Sequence, residues 1–229
     1  MPQNLLKRII TSIILLSLLI FINFSHRYIF IISILILGII ICLEANNIFS
    51  KLLNIKYLKK KTYFNRFNIK FFILNFVFFC YIFFVFCNLS YEIYTFESPS
   101  FFLYIISICF FTYIGGYVFG KIIKGKKLSK ISPNKTISGT IGSFILSTVP
   151  LILILNSNYL DLEFNFKNIL FCLLISFVSQ LGDLFVSYFK RKAKIKDTGN
   201  ILPGHGGILD RVDGIIFAVP FSYFLLRLI

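Results

Sequence analysis

Charge is scarce in this chain, and negative charge scarcer still. Only 14% of its 229 residues are charged, with 9 Asp and Glu against 24 Lys and Arg. An ordinary soluble domain carries about 25% charged residues, so an aqueous globule is excluded. Trp is absent, while Ile, Phe, Lys, Asn and Tyr abound, the bias that AT-rich codon usage produces; the 30 Phe therefore say little about function. No two cysteines form a C-x-x-C pair. Cys42, Cys80, Cys87, Cys109 and Cys172 all lie inside apolar runs, where they read as small buried hydrophobes, not a disulfide or zinc framework. There is no H-E-x-x-H and no Ser-His-Asp order. The apolar runs are continuous, not alternating, which argues against a β-barrel. No internal repeat or low-complexity linker is visible. No cleavable signal is convincing, because the first apolar run leads through Ser25-His26-Arg27 into a second.

What is present is hydrocarbon. The chain is 57% hydrophobic, with a mean hydropathy of +0.84. Runs near the ~20 residues that cross a bilayer recur along it. They predict an all-α, polytopic transmembrane protein of about seven spans, near 8–24, 28–45, 69–88, 101–120, 138–156, 168–189 and 212–228. The expected organisation is one membrane-embedded domain over 1–229. Its parts are an N-terminal hairpin with a basic loop (1–68) and a helical core (69–229). Loops then alternate between two sides. Twenty-one of the 24 Lys and Arg fall on the side of the N-terminus and of loops 46–68 (with Lys70), 121–137 and 190–211. Arg27, Lys167 and Arg227 fall on the other, with Glu92, Glu97, Asp161 and Glu163. The positive-inside rule makes the basic side cytoplasmic. Membrane topology and anionic lipid explain the net charge of +15 better than nucleic acid does.

Against this background the segment Ser187–Asp213 stands out. It places cations, a Gly-rich turn, one His and several carboxylates between two membrane-grade helices. Charge at such a boundary is costly and marks a functional site. Upstream of it, Gln180, Asp183 and Ser187 are spaced three and four apart, on one helical face. Asp210 and Asp213 are three apart, on one face of a helix starting the last span. Asp183, Asp210 and Asp213 are expected at similar depth on the cytoplasmic side, where three carboxylates suit a hard cation such as Mg²⁺, alone or with a second cation. The bland readings are a structural Asp paired with Lys or Arg, and helix-start carboxylates favoured by the macrodipole. Between the carboxylates lie Lys190, Arg191, Lys192, Lys194 and Lys196, then Asn200–Gly207. Glycines there would let backbone N–H groups approach phosphate oxygens that the cations neutralise. The bland reading is a solvated loop with a flexible turn. Ser132-Pro133-Asn134-Lys135-Thr136 reads as a turn leading into a helix, able to add donors such as Ser132 and Lys135.

Gly115–Lys121 mimics a G-x-x-x-x-G-K loop, but Ile122 occupies the Ser/Thr position and the segment is a span. Gly116-x-x-x-Gly120 reads instead as a close helix contact.

Residues 187–213 resemble the signature of the phosphatidate cytidylyltransferases, the CDP-diacylglycerol synthases. Ser187, Phe189, Lys190, Arg191, Lys196, Asp197, Gly199, Leu202, Pro203, His205, Gly206, Gly207, Ile208, Asp210, Arg211, Val212 and Asp213 all fit that pattern. Gly120-Lys121 and Ile131–Thr136 resemble two further elements of the family. The N-terminal third matches only as generic membrane helices. Tyr113 and Ser138 depart from the pattern, standing where family members commonly carry Asp and Glu.

The resemblance implies a reaction in which CTP and phosphatidic acid give CDP-diacylglycerol and pyrophosphate. Asp183, Asp210 and Asp213 would hold the metal. Lys190, Arg191, Lys196 and Arg211 would contact phosphates, with Ser132, Lys135 and Ser187 beside the substrates. Asp197 and His205 would organise the loop or the pyrophosphate end. The implied setting is the inner (plasma) membrane with the site facing the cytoplasm. The partners would be the two substrates and membrane lipids, with no nucleic acid; a homodimer is compatible with the chain. The alternatives are a CTP-dependent lipid or polyprenol kinase, and an ion-coupled transporter using Asp183.

Overall fold

A computed structural model describes residues 3–53, 66–128, 132, 135–155, 160, 162–204 and 206–228. It is 81% helical with no strands among the described residues, as the apolar runs predict. The helices are α1 (Gln3–Phe24), α2 (Arg27–Leu52), α3 (Arg66–Cys80), α4 (Asn88–Glu92), α5 (Pro99–Ile122), α6 (Ile137–Ser147), α7 (Val149–Leu155), α8 (Phe166–Lys192), α9 (Leu209–Val212) and α10 (Ile215–Leu228). Wider π-helical turns, Tyr81–Cys87 and Ile93–Glu97, flank α4.

Among the described residues five helical stretches are long and apolar enough to cross a membrane: Arg27–Leu52, Ile69–Glu97, Pro99–Ile122, Ile137–Leu155 and Phe166–Lys192. They match the five central spans of the sequence reading. The two outer ones are shorter: Ile10–Phe24 is an apolar helix below that length, and α10 has 14 residues. Large apolar side chains such as Ile14, Phe72, Phe76 and Phe84 are exposed on these helices. Water would not tolerate such surfaces, whereas lipid does. The chain is a membrane protein.

The fold divides into two compact units, Met1–Asn88 with Tyr188–Val212, and Leu89–Ser187 with Asp213–Ile229. In the first unit α2 is central. Ile41, Ile82 and Phe86 are fully buried, Phe49 meets Phe78 and Phe189 edge to face, and Gly38 leaves room for Cys87. α8 ends in this unit with Ile195 N–H on Lys190 C=O and Lys194 N–H on Arg191 C=O. That paired closure normally places Gly in the left-handed position. Here Lys194 takes it, at φ 55°, a conformation costing a side-chain-bearing residue about 1 kcal/mol.

In the second unit α5 and α6 pack most closely. A Cβ on Gly115 would strike the Gly142 carbonyl, one on Gly116 would lie 2.9 Å from Ser143 Oγ, and one on Gly120 3.0 Å from Thr136 Oγ1. The glycine pair at 116 and 120 thus serves close helix packing, as its spacing predicts. Caps fix the helix starts: Ser98 Oγ accepts from Phe101 N–H, Thr136 Oγ1 from Gly139 N–H and Asn165 Oδ1 from Asn168 N–H, each satisfying an orphan donor. Tyr104, Phe101 and Phe171 cluster at the opposite end of α5 from Gly120.

Candidate active site

Each unit carries a Lys–carboxylate pair built from the residues that the sequence singles out. In the first unit the segment after α8 forms a loop closed on itself. Leu202 and Gly206 exchange backbone hydrogen bonds of 2.9 and 3.2 Å, and the turn between them needs φ of +79° at Gly204 and +85° at Gly206, values glycine adopts without strain. His205 lies outside the described residues.

Asp210 holds this loop together. Its Oδ1 receives Lys190 Nζ at 2.7 Å. Its Oδ2 receives the backbone N–H groups of Thr198 at 2.8 Å and Gly207 at 3.0 Å. Burial alone would raise the Asp210 carboxyl. The hydrogen bond from Lys190, those from the two amides and the Lys190 charge outweigh burial, and hold it below its ordinary value.

A residue that the sequence reading passed over completes the cluster. Glu44, in the fifth turn of α2 and only 2% exposed, accepts the Ile208 N–H on Oε1 at 3.0 Å. Its Oε2 accepts the Leu209 N–H at 2.8 Å and Thr198 Oγ1 at 2.7 Å. The Thr198 hydroxyl also lies 3.0 Å from Asp210 Oδ2; having one proton, it serves one carboxylate at a time. Gly199 and Gly207 leave the space: a Cβ on either would stand 2.7 Å from Glu44 Oε1. The signal in the sequence was the one that marks Asp183, a lone carboxylate in an apolar helix.

The glycines thus act differently from the expectation. The Gly206 and Gly207 amides bind Leu202 C=O and Asp210, atoms of the chain itself. Arg191, Lys196 and Asp197, in the same stretch of chain, are exposed. Arg211 is exposed on α9.

In the second unit Asp183 Oδ2 pairs with Lys135 Nζ at 2.6 Å, and its Oδ1 accepts from Ser187 Oγ at 3.2 Å. Gln180 reaches Ser176 one turn earlier. The spacing argument for one helical face holds, and Lys135 comes from the turn before α6 as its motif suggests. Ser132, in that turn, is half-buried.

Asp213 does not share a helix face with Asp210. α9 stops at Val212, and Asp213 sits in a turn before α10, its Oδ1 accepting the Gly214 N–H at 2.8 Å. Two glycines then let the start of α10 press against α8. A Cβ on Gly182 would lie 2.7 Å from the Asp213 carbonyl, and one on Gly214 would strike Ser179. Asp213 is thereby brought against the turn of α8 that bears Asp183.

The donors on offer to a cation are hard carboxylate oxygens, the type Mg²⁺ takes. Among the described residues no group of three or more His, Cys, Asp or Glu stands ready to hold a metal ion. A metal assignment therefore rests on donor type and on the approach of Asp213 to the Asp183 turn.

The model of the cytidylyltransferase family matches residues 48–229, which include every site residue above except Glu44. This chain belongs to the cytidylyltransferase family. Similar proteins named phosphatidate cytidylyltransferase occur in Rickettsia bellii (43% identical over 132 residues, 55% of this chain and 55% of that protein). Others occur in Staphylococcus haemolyticus (41% over 133 residues, 57% and 50%) and Bacillus subtilis (44% over 115 residues, 50% and 42%). The chain spans about half the length of the curated relatives it matches. Tyr113 is exposed on α5. Ser138, in place of the family's Glu, donates to the Lys124 carbonyl and contacts Thr136 Oγ1 at 3.0 Å.

Proposed function

We propose that the chain is a phosphatidate cytidylyltransferase, transferring a cytidylyl group from CTP to phosphatidic acid with release of pyrophosphate. The observation that carries this reading is the segment after α8, closed on itself around Asp210. Asp210 binds Lys190 and the Thr198 and Gly207 amides there, and Arg191 and Lys196 of the same stretch of chain are exposed. Membership of the family and the names of its relatives support it.

The chemistry asks for what these residues supply. The nucleophile is a phosphate oxygen of the lipid, largely ionised at pH 7 because the second pKa of a phosphomonoester is about 6. No strong general base is required. The obstacle is mutual repulsion of two polyanions and the charge gathering on departing pyrophosphate. Lys and Arg side chains fixed in a partly dry site lower both. Arg191, Lys196 and Arg211 are the exposed cations that would contact phosphates, and Lys135 and Lys190 bring the ion-paired charges. Asp183 and Asp213 would hold Mg²⁺, which supplies further neutralisation of phosphate oxygens when bound. The reading also assigns the site to the cytoplasmic face of the inner membrane, where CTP arrives from water and the lipid laterally. It rests for this on the 21 cations of one side.

The test is purified protein with labelled CTP, phosphatidic acid and Mg²⁺. CDP-lipid and pyrophosphate in equal amounts are expected, and chelation should stop both. Release of CDP with a phosphorylated lipid would identify a kinase instead. Neither product would refute both.

A further inference from the structure

We propose that Glu44 is a positioning residue for this reaction: a buried carboxylate in α2 that fastens the loop of residues 198–209. This rests on the cytidylyltransferase reading for its catalytic consequence, but its structural part stands alone. Three observations meet at one side chain. Glu44 is 2% exposed, so its oxygens have lost their water and depend on what they bind within the chain. Its partners are Ile208 N–H, Leu209 N–H and the Thr198 hydroxyl, all from the signature loop. The cradle is shaped for it, since any side chain at Gly199 or Gly207 would occupy the carboxylate's place.

The geometry also says what the contact does. α9 has four residues, and the Ile208 and Leu209 amides precede the first carbonyls that could receive them within the helix. Without Glu44 both N–H groups would be unpaired, Leu209 fully buried among them. Asp210 follows directly, and its grip on Lys190, Thr198 and Gly207 depends on where α9 begins. Glu44 thus sets the position of Asp210 and, through it, of Lys190. It lies four residues before the stretch matched by the family model. The second helix therefore contributes to the site and is not merely a membrane anchor.

The first experiment needs no turnover. Hydrogen–deuterium exchange of the detergent-solubilised wild-type chain should show the Ile208 and Leu209 amides protected. In Glu44→Gln, which presents an amide N–H₂ to groups that need an acceptor, exchange over 198–209 should speed up about 10- to 100-fold, while α5 and α8 are unchanged. Free exchange of those amides in the wild type would overturn the proposal, whatever the enzyme does.

The second experiment measures kinetics and melting together. Glu44→Met keeps the volume and removes the acceptor. It should lower kcat about 10- to 100-fold and leave KM for CTP within about threefold. Near wild-type kcat in this variant would overturn the positioning role. Should Glu44→Met fail to fold, Thr198→Val tests the same link from the loop side. It keeps the backbone bonds and should lower kcat about three- to tenfold. Adding Thr198→Val to Glu44→Gln should cost less than the two effects multiplied, because both remove one contact. Simple multiplication would overturn the coupling. An inactive wild type with protected amides would sink the cytidylyltransferase reading and leave the anchor intact.

Discussion

The two Lys–carboxylate pairs look alike on paper and differ in what surrounds them. Lys190 and Asp210 have side chains 13% and 7% exposed, and Asp210 adds two backbone amides to its cation. Lys135 and Asp183 are 26% and 28% exposed, and Asp183 adds only the Ser187 hydroxyl. A buried pair whose carboxylate also holds two backbone amides cannot release a partner without leaving a charge stranded. A half-exposed pair can, since water screens both halves. The first arrangement suits a residue that shapes the site. The second suits residues that exchange one another for a phosphate or a cation during turnover. Two carboxylates with the same expected role from sequence are thus separated by their surroundings.

The sharpest way to break this contrast is to neutralise each acid. Asp183→Asn should cut turnover by about 10³-fold, about 4 kcal/mol of transition-state stabilisation, and leave the melting temperature almost unchanged. Asp213→Asn should do the same. Asp210→Asn should lose turnover and also about 3 kcal/mol of stability, because Lys190 is left buried without its counter-charge. Thermal melts beside initial rates separate the cases; an Asp210→Asn protein as stable as wild type would put Asp210 back among the simple metal ligands. The pH response sharpens the point. Asp210 is held below its ordinary 3.8, with burial opposing the shift and Lys190 and the amides overcoming it. Its contribution is therefore fully present above about pH 4 and lost only as pH falls through the lowered native value. Melting curves recorded from neutral pH down to about pH 5 should show no loss from this group, with the decline beginning on acidification below that.

The fold class was legible because a bilayer writes long apolar runs into a sequence, and five of them reappear as helices of spanning length. The face shared by Gln180, Asp183 and Ser187 was legible because helical spacing is local. Glu44 shows in the sequence only as a lone carboxylate in an apolar helix; its partners were not legible, since they are more than 150 positions away and no periodicity reports them. The break between α9 and α10 was also hidden. The run Asp210–Ile216 scans as one helix start, and only the packing of Gly214 on Ser179 shows why it turns. Likewise the loop glycines read as a phosphate cradle, when two of their amides are used within the chain.

A smaller effect is expected at the exposed pair's cation. Lys135→Met should cost under about 1 kcal/mol of stability, as an ion pair open to water does. It should raise KM for CTP up to about tenfold, since Lys135 is assigned to phosphate. A melting shift as large as that of Asp210→Asn would erase the distinction between the pairs.

The smallest effect is predicted where the chain departs from its family. Restoring Tyr113→Asp and Ser138→Glu tests whether the missing carboxylates matter. Tyr113 is 60% exposed on α5, so an Asp there gains no partner described for that position. Ser138 has a task of its own: its hydroxyl ties the Lys124 carbonyl to the turn in which Lys127 bridges Thr136. That tie steadies the segment that presents Lys135 to Asp183. The Ser138→Glu substitution removes the hydroxyl contact and brings a negative charge against a carbonyl oxygen. Each restored variant, and the pair together, should therefore change turnover by less than about twofold at saturating Mg²⁺, with Ser138→Glu the one to lower it. Mg²⁺ titrations of all four proteins measure this. An inert parent switched on by both restorations would show that Asp183 and Asp213 are insufficient, and that the half-exposed pair is the remnant of a site this chain no longer completes.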